Sequence, residues 1–152
     1  MNVRALRSPL IVATVVLLID QLTKRWALNA LDDGRVIDLV GSLRLKLAFN
    51  TGMAFSQGEG LGPLVPILAI TVVAALLMAA GRSSSRWFTL GVGLIVGGSL
   101  SNVADRLFRS DGLLDGAVVD FIDVQWWPVF NVADSAIVVG AVLLLVTSLR
   151  AS

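Results

Sequence analysis

Three aspartates, Asp105, Asp120 and Asp134, lie in or beside strongly apolar segments of this chain. An ionised carboxylate inside a bilayer costs roughly 2.5–3.5 kcal/mol on insertion scales. Because such carboxylates are costly in an apolar chain, their presence indicates that they have a chemical function. Paired carboxyl groups are candidates for acid–base hydrolysis, because one can polarise a water molecule while the other protonates the leaving group. The pattern predicts a membrane-embedded hydrolase of the aspartic type.

Asp120 and Asp134 are the best candidates for such a pair. No Lys or Arg lies within ten positions of either residue along the chain, and their neighbours are apolar. Desolvation raises the pKa of a carboxyl group, and a second carboxylate nearby raises one of the two further. We expect these side chains, from separate helices, to converge near the outer membrane surface, share a proton and titrate as a unit.

Other polar residues fall three or four positions apart, so that each pair shares one face of a helix. Such groups either clamp helices together or support a reaction. For the Asp20–Lys24 pair we favour the clamp, because ions within a membrane usually pair with each other. For Asp105 beside Arg106 both interpretations stay open, since a neighbouring Arg lets a carboxylate stay charged without function. The remaining pairs are Asn102–Asp105, Asn102–Arg106 and Asn131–Asp134.

The composition excludes several other kinds of chemistry. The chain of 152 residues has no Cys and no His, so Ser–His and Cys–His nucleophiles and thiolate metal sites are ruled out. Carboxylate-only metal sites have no diagnostic spacing here, and we expect neither a metal nor a cofactor. A net charge of +1 and the lack of a basic run with interleaved aromatics argue against nucleic acid as a partner.

The chain is 56% hydrophobic and only 15% charged, which is typical of a membrane protein. Four apolar stretches approach the length of a helix that crosses a bilayer core of roughly 30 Å. The first spans only if it continues past Asp20, and the fourth only if it begins near Phe130. We predict a mainly α, polytopic membrane protein with four transmembrane helices in a single domain, 1–152. The stretches are residues 8–19, 60–81, 87–104 and 135–149.

The segment after the first helix has the period of a β-strand. Apolar residues occupy every odd position from Leu43 to Phe49, which is the pattern of a strand with one apolar face. Residues 36–40 suggest an earlier strand, with Gly41 and Ser42 as the turn. We therefore predict a small amphipathic β-sheet on the extracytoplasmic membrane surface.

The distribution of charge bears on orientation. All eleven acidic residues fall on one predicted side of the membrane, with seven Lys and Arg, whereas five Arg and no acid fall on the other. The short basic loop at 82–86 and the basic N-terminal segment favour both termini in the cytoplasm. Trp26, Trp126 and Trp127 would then lie at the outer interface and Trp87 at the inner one, as interfacial anchors do.

Two segments that contain glycine admit a structural or a functional interpretation. Gly52 permits a positive φ, and Asn50 in the same segment offers both a donor and an acceptor. From this segment alone we favour an ordinary turn into the second helix. Gly97 and Gly98 allow another helix or a substrate to approach closely, and packing is the commoner reason for such glycines.

Five motifs in order resemble those of the bacterial lipoprotein signal peptidases, the signal peptidase II family. Each motif alone is weak, but five in this order with four spans make a specific signal over nearly the whole chain. They are Asp-Gln-Leu-Thr-Lys at 20–24, Asn-Thr-Gly-Met-Ala-Phe at 50–55, Gly-Gly-Ser-Leu-Ser-Asn-Val-Ala-Asp-Arg at 97–106, Val-Val-Asp-Phe at 118–121 and Phe-Asn-Val-Ala-Asp at 130–134.

The resemblance implies four transmembrane helices, an extracytoplasmic β-cradle and a site near the outer surface of the bacterial inner membrane. It implies that Asp120 and Asp134 form a catalytic dyad that cleaves the signal peptide from prolipoproteins whose cysteine carries a diacylglyceryl group. The implied partners are these lipidated prolipoproteins and membrane lipids, and we expect a monomer. Positions that match residues shaping or supporting the family's site are Asn50, Gly52, Gly98, Asn102, Asp105, Arg106, Asn131, Asp20 and Lys24.

Finer roles are implied for three of these residues. Asn50 and Asn131 would hydrogen-bond the substrate backbone or the dyad. Arg106 would stabilise Asp105 and contact the lipid or carbonyl region of the substrate.

The chain also departs from the family pattern in two places. Ser101 precedes Asn102 where the family usually has glycine, which would tighten that helix contact. The segment 107–117 is longer than usual, and it would act as a lid over the cleft.

Three other interpretations use the same residues differently. A small proton-coupled transporter would use the acids as a proton relay, but paired halves and interrupted helices are not evident. A structural subunit would use them only to join helices. A cleavable signal peptide at the N-terminus is disfavoured because Asp20, Lys24 and Arg25 interrupt its apolar run.

Overall fold

A computed structural model of the chain describes residues 3–51, 64–83, 85–109 and 116–150, with side chains described from residue 6 onward. This part of the chain contains four helices and a three-stranded antiparallel sheet. In chain order the elements are α1 (Val3–Ala30), β1 (Val36–Val40), β2 (Leu43–Asn50), α2 (Leu64–Ala80), α3 (Arg86–Phe108), β3 (Val118–Asp123) and α4 (Val132–Leu149).

Among the described residues, α1, α3 and α4 are long and apolar enough to cross a membrane. Helix α2 has 17 uncharged residues, which extend about 25 Å at 1.5 Å per residue. Large apolar side chains are exposed along α1, α2 and α4, as expected of surfaces that face lipid. Helix α1 does continue past Asp20, and α4 does begin close to Phe130. The predicted helical membrane fold with a small sheet is confirmed.

Helix α3 is the central element, and its glycines let two neighbouring helices approach closely. A Cβ on Gly97 would lie 2.6 Å from the carbonyl oxygen of Ala13 in α1. A Cβ on Gly98 would collide with the carbonyl oxygen of Ala133 in α4. Successive helical residues point about 100° apart, so two adjacent glycines open two faces of α3. The glycine pair therefore serves packing between helices.

The sheet forms as the alternating pattern predicts. Strands β1 and β2 pair in an antiparallel hairpin, and Gly41 in its turn has a φ of +57°, which glycine adopts without strain. Strand β3 pairs with β2, so the order is β1-β2-β3. Ala27 and Leu31, at the end of α1, pack against Phe121 of β3 in a small buried cluster. This cluster fastens the sheet to the helices.

The structure corrects the expectation that both candidate acids come from helices. Asp134 lies in α4, but Asp120 lies on β3, a strand that the sequence analysis did not predict. Val118, Val119 and Phe121 favour a strand, because branched and aromatic side chains fit a pleated surface. The short apolar run at 118–122 did not distinguish a helix end from a strand.

Because Gly98 contacts α4 directly beneath the first turn of that helix, adding a methyl group there is expected to separate α3 from α4. We predict that Gly98→Ala lowers the free energy of unfolding by about 1–3 kcal/mol and also lowers activity, since α4 carries Asp134. Thermal unfolding in detergent would measure the change. Leu100→Ala, on a more exposed side of the same helix, is the control. Wild-type stability in Gly98→Ala would contradict this packing.

Candidate active site

Helices α1 and α3 present matching polar faces to each other. Residues i and i+4 lie on one face of a helix, and a polar residue at i+1 broadens that face. Four of the six residues involved are almost completely buried. The two faces are Asp20, Gln21 and Lys24 of α1, and Ser101, Asn102 and Asp105 of α3.

Lys24 connects the two faces. Its side chain is completely buried, and its Nζ lies 2.8 Å from each of three oxygens, Asp20 Oδ2, Asp105 Oδ2 and Asn102 Oδ1. A protonated lysine has three N–H donors, so these acceptors use all of them. The ion pair expected between Asp20 and Lys24 is present, and Asp105 from another helix completes it.

Asp20 extends this network from α1 to α4. Its Oδ1 accepts a hydrogen bond of 2.8 Å from the backbone N–H of Ala133, in the first turn of α4. Its Oδ2 accepts one of 2.7 Å from the Ser101 hydroxyl. The Ser101 hydroxyl thus joins α3 to α1. A carboxylate also stabilises the positive end of a helix dipole, so Asp20 helps to fix where α4 begins.

Asp105 is held by a different cation from the one expected. We expected Arg106, but in the described part of the chain the ion pairs of Asp105 are with Lys24 and with Arg109, whose Nε lies 2.9 Å from Asp105 Oδ1. Arg109 is four positions beyond Asp105, so helical spacing was the signal for this pair. Arg106 donates to the carbonyl oxygen of Gly116 over 3.4 Å.

Two further groups donate to Asp105. Gln21 Nε2 lies 3.0 Å from its Oδ1, and the backbone N–H of Val119 in β3 lies 3.2 Å from its Oδ2. Asp105 therefore links α3 to β3, next to Asp120 along the strand.

Asn131 positions Asp134 at the start of α4. The Asn131 side chain accepts a hydrogen bond of 2.8 Å from the Asp134 backbone N–H, and Asp134 Oδ2 accepts one of 3.2 Å from the Asn131 backbone N–H. These reciprocal bonds form a capping box, which satisfies two backbone donors at the helix end. The three-residue spacing of Asn131 and Asp134 in the sequence is therefore that of a helix capping box.

Strand pairing positions Asp120. Asp120 lies opposite Ala48 and Val118 lies opposite Asn50, so Asp120 and Asn50 are diagonal neighbours on one face of the sheet. The Asn50 side chain also acts on Asp120 and lowers the pKa of that carboxyl group. Asn131 Nδ2 donates to Asp120 Oδ1 over 2.6 Å. Asp120 is only 2% exposed.

Two asparagines join the surroundings of the candidate acids. Asn131 Nδ2, which bonds Asp120, also donates to Asn102 Oδ1 over 3.2 Å. Asn102 Nδ2 donates in turn to Asp134 Oδ1 over 2.8 Å. The chain of contacts therefore runs from Asp120 through two amides to Asp134, and it brings together residues from β3, α3 and α4.

The environment of Asp120 favours its protonated form. Burial, and then the nearby Asp134 carboxylate, raise the pKa of Asp120 from 3.8 to about 6, against hydrogen bonds from Asn50 and Asn131 and the charge of Lys24. The sequence showed no base near Asp120, because Lys24 comes from α1, almost a hundred residues earlier. Asp123, on the same strand as Asp120, pairs at 2.8 Å with Arg44 of β2, which lowers the pKa of Asp123.

An apolar groove of about 530 Å³ opens beside Asp134. Its walls come from the outer face of α4 and from the segment between β3 and α4, including two exposed tryptophans. The groove therefore connects a membrane-facing surface with the candidate acids. It is lined by Val124, Trp126, Trp127, Phe130, Asp134, Ser135, Val138 and Val139.

Some sequence expectations lie outside the described residues. Gly52 is one, and so is most of segment 107–117, in which residues 110–115 are not described. Within the part of the chain that is described, no group of three or more Asp or Glu has the arrangement of a metal site.

The chain is similar to proteins of known family. A family model described as "Signal peptidase (SPase) II" matches residues 12–150. A lipoprotein signal peptidase of Rhodococcus jostii (strain RHA1) is 46% identical over 140 residues, which cover 91% of this chain and 71% of that protein. One of Mycobacterium tuberculosis (strain ATCC 25618 / H37Rv) is 43% identical over 147 residues, covering 96% and 73%. A solved bacterial membrane enzyme structure matches with a TM-score of 0.80 and 26% identity, covering 93% of this chain and 87% of that one.

The raised pKa of Asp120 has a consequence for stability. An acid whose pKa is higher in the folded state stabilises folding below about 3.8 and loses that contribution as the pH rises through about 6. Asp120→Asn is therefore expected to raise the free energy of unfolding at pH 7, by up to about 3 kcal/mol. Thermal unfolding in detergent between pH 4 and pH 8 would measure it.

Asp123→Asn, three positions along the same strand, is the control. The pKa of Asp123 is lowered, so its carboxylate stabilises the fold at neutral pH and its replacement is expected to act in the opposite direction. Equal effects of the two substitutions at pH 7 would contradict the different environments of these carboxyl groups.

Proposed function

Because this chain belongs to the signal peptidase II family, the peptidases that cleave signal peptides from prolipoproteins, we propose that Asp120 and Asp134 are its catalytic pair. The observation that carries this proposal is the chain of hydrogen bonds from Asp120 through Asn131 and Asn102 to Asp134. Two carboxyl groups held in one apolar, hydrogen-bonded environment are suited to share a proton.

The proposed reaction needs one protonated and one ionised carboxyl group. The ionised group takes a proton from a water molecule as the water oxygen attacks the carbonyl carbon, and the protonated group gives its proton to the carbonyl oxygen. When the tetrahedral intermediate collapses, the carbonyl oxygen returns its proton and the leaving nitrogen takes the proton that came from water. The C–N bond breaks, and the pair again holds one proton.

We propose a prolipoprotein with a diacylglyceryl-modified cysteine as the substrate. The apolar groove beside Asp134 supports this choice, because it opens on the outer face of α4 and is lined mainly by Trp, Phe and Val side chains. Such a surface suits the lipid chains or apolar residues of a substrate that arrives sideways from the bilayer. The sheet beside Asp120 would hold the chain around the cleavage point.

The proposed orientation places the pair near the extracytoplasmic surface of the bacterial inner membrane and both chain termini in the cytoplasm. The described acids of the site lie in the second halves of α1 and α3, on β3 and in the first turn of α4, whereas Arg82, Arg86 and Arg150 lie at or next to the opposite helix ends. Basic segments favour the cytoplasmic side. We propose that the enzyme acts as a monomer.

The catalytic pair is tested by Asp120→Asn and Asp134→Asn, made separately. Each substitution removes the capacity to hold or release the shared proton, so we expect turnover of a lipidated prolipoprotein to fall by about 10²–10⁴-fold. Cleavage by the purified protein would be followed on gels. Asp38→Asn, an exposed acid of β1, is expected to keep normal turnover. A folded Asp120→Asn or Asp134→Asn protein with near-normal turnover would disprove the pair.

The groove is tested by a side chain that fills it. Val138→Trp is expected to raise KM for the lipidated substrate roughly tenfold and to change kcat little. Val142→Trp is the matched control, because it lies one turn further along α4, is similarly exposed and does not line the groove. If both variants have the wild-type KM, the groove does not receive the substrate.

A further inference from the structure

We propose that Lys24 is a positioning residue that acts through Asn102 to keep Asp134 ionised, which leaves the shared proton on Asp120. The inference rests on the proposed catalytic pair and assigns a separate role to each of its members. It concerns a buried lysine that would not itself touch the substrate.

The first step is that Lys24 fixes the orientation of the Asn102 amide. All three N–H donors of Lys24 are used, by Asp20, Asp105 and Asn102 Oδ1, each at 2.8 Å. Asn131 Nδ2 directs a second donor at the same Asn102 oxygen, over 3.2 Å. If the Asn102 amide were reversed, its NH₂ group would face two other donors, Lys24 Nζ and Asn131 Nδ2. The Asn102 oxygen must therefore face Lys24.

The second step follows from this orientation. With its oxygen towards Lys24, Asn102 presents its NH₂ group to Asp134 Oδ1, over 2.8 Å. The other oxygen of Asp134, Oδ2, accepts the backbone N–H of Asn131. Both oxygens of Asp134 thus accept hydrogen bonds from N–H groups, which can only donate and so cannot accept a hydrogen bond from a protonated carboxyl group. Hydrogen bonds donated to a carboxylate favour its charged form.

Asp120 has a different set of partners. Its Oδ1 accepts from Asn131 Nδ2, and the Asn50 side chain also lowers its pKa, but these effects are outweighed. Burial and the Asp134 carboxylate raise the pKa of Asp120 to about 6. Asp120 is therefore the member of the pair that is better suited to hold the proton.

Charge balance supports the same assignment. The titratable groups that surround Lys24 come from every element packed against it. Among the described residues, Lys24 and Arg109 form the ion pairs of Asp20 and Asp105, and the Asp134 carboxylate lies beside them. One more negative charge, on Asp120, is therefore unfavourable in this buried space. The groups are Asp20 on α1, Asp105 and Arg109 on α3, Asp120 on β3 and Asp134 on α4.

The assignment gives the proposed reaction a direction. Asp134 takes the proton from water, and Asp120 protonates the carbonyl oxygen. Removal of the Lys24 charge raises the pKa of Asp120 further, because Lys24 lowers it in the wild-type protein. It also removes the group that orients the Asn102 donor towards Asp134, so the ionised form of Asp134 is less favoured. Both limbs of the pH profile of kcat/KM should then move to higher pH.

The experiment measures kcat/KM against pH for Lys24→Gln on a lipidated prolipoprotein. We expect the optimum to rise by about 0.5–1 pH unit, together with a lower maximum. Because Lys24→Gln leaves buried carboxylates without a cation, Asp20→Asn/Lys24→Gln is made in parallel. It removes one acid with the base and leaves Arg109 on Asp105. It is expected to shift the optimum upward by less than Lys24→Gln does, because only the orientation of Asn102 is lost and the net charge is kept, and it provides a reading even if the single variant does not fold.

Ser101→Ala is the matched control, since it removes a buried hydrogen bond of the same cluster without changing charge. It is expected to lower stability and leave the pH profile in place. Asn102→Leu should also move the optimum upward, but by less than Lys24→Gln because the Lys24 charge remains. The two shifts should not add fully in the combined variant, because both substitutions remove the same oriented donor to Asp134. A folded Lys24→Gln or double variant with the wild-type optimum, or additive shifts, would overturn the role of Lys24.

The same data separate this inference from the proposed function. An unmoved pH optimum in the Lys24 variants, with inactive Asp120→Asn and Asp134→Asn proteins, would refute only the role of Lys24. Normal turnover in either aspartate variant would refute the catalytic pair itself.

Discussion

The structure depends on keeping charged groups compensated where water is scarce. Lys24 is completely buried, and it is acceptable there because three oxygens receive its three N–H groups. Removing one partner of such a buried pair leaves an uncompensated charge, which costs several kcal/mol. Asp20 and Asp105 share this cation, and each also accepts a backbone N–H from another element. Charge compensation therefore fixes how α1, α3, β3 and α4 meet.

Close packing of the helices makes this network possible. The contacts of the polar faces are 2.7–3.2 Å long, and such distances are reached only where the backbones approach. Gly97 and Gly98 of α3 provide this approach towards α1 and α4. Helix α3 therefore has glycines without side chains near its middle and polar side chains towards its C-terminal end. Small residues and interhelical hydrogen bonds are the usual means of helix association in a membrane.

The length of the apolar stretches predicted the helices, and alternation predicted the hairpin of β1 and β2, because each depends on local sequence. Apolar neighbours likewise singled out Asp120 and Asp134 as candidates. Strand β3 was missed, since a short apolar run fits a strand or a helix end, and only its pairing with β2 decides. The ion-pair partners of Asp105 likewise could be predicted only in part from local sequence. Arg109 was available from spacing, but Lys24 becomes a neighbour only after α1 packs against α3. Contacts between distant segments are set by packing, which a single sequence does not display.

The bond between Asp20 and the first turn of α4 joins residues 113 positions apart. During synthesis α1 leaves the ribosome long before Ser101, Asp105 or Ala133 exists. Until then the ammonium and the carboxylate of α1, one turn apart, have each other as counterions, so the nascent helix carries a neutral pair into the lipid rather than two separate ions. The same two groups are later shared with α3 and α4. The Asp20–Lys24 pair is thus local to the first span, whereas its contacts with Asp105 and Ala133 need the third and fourth spans.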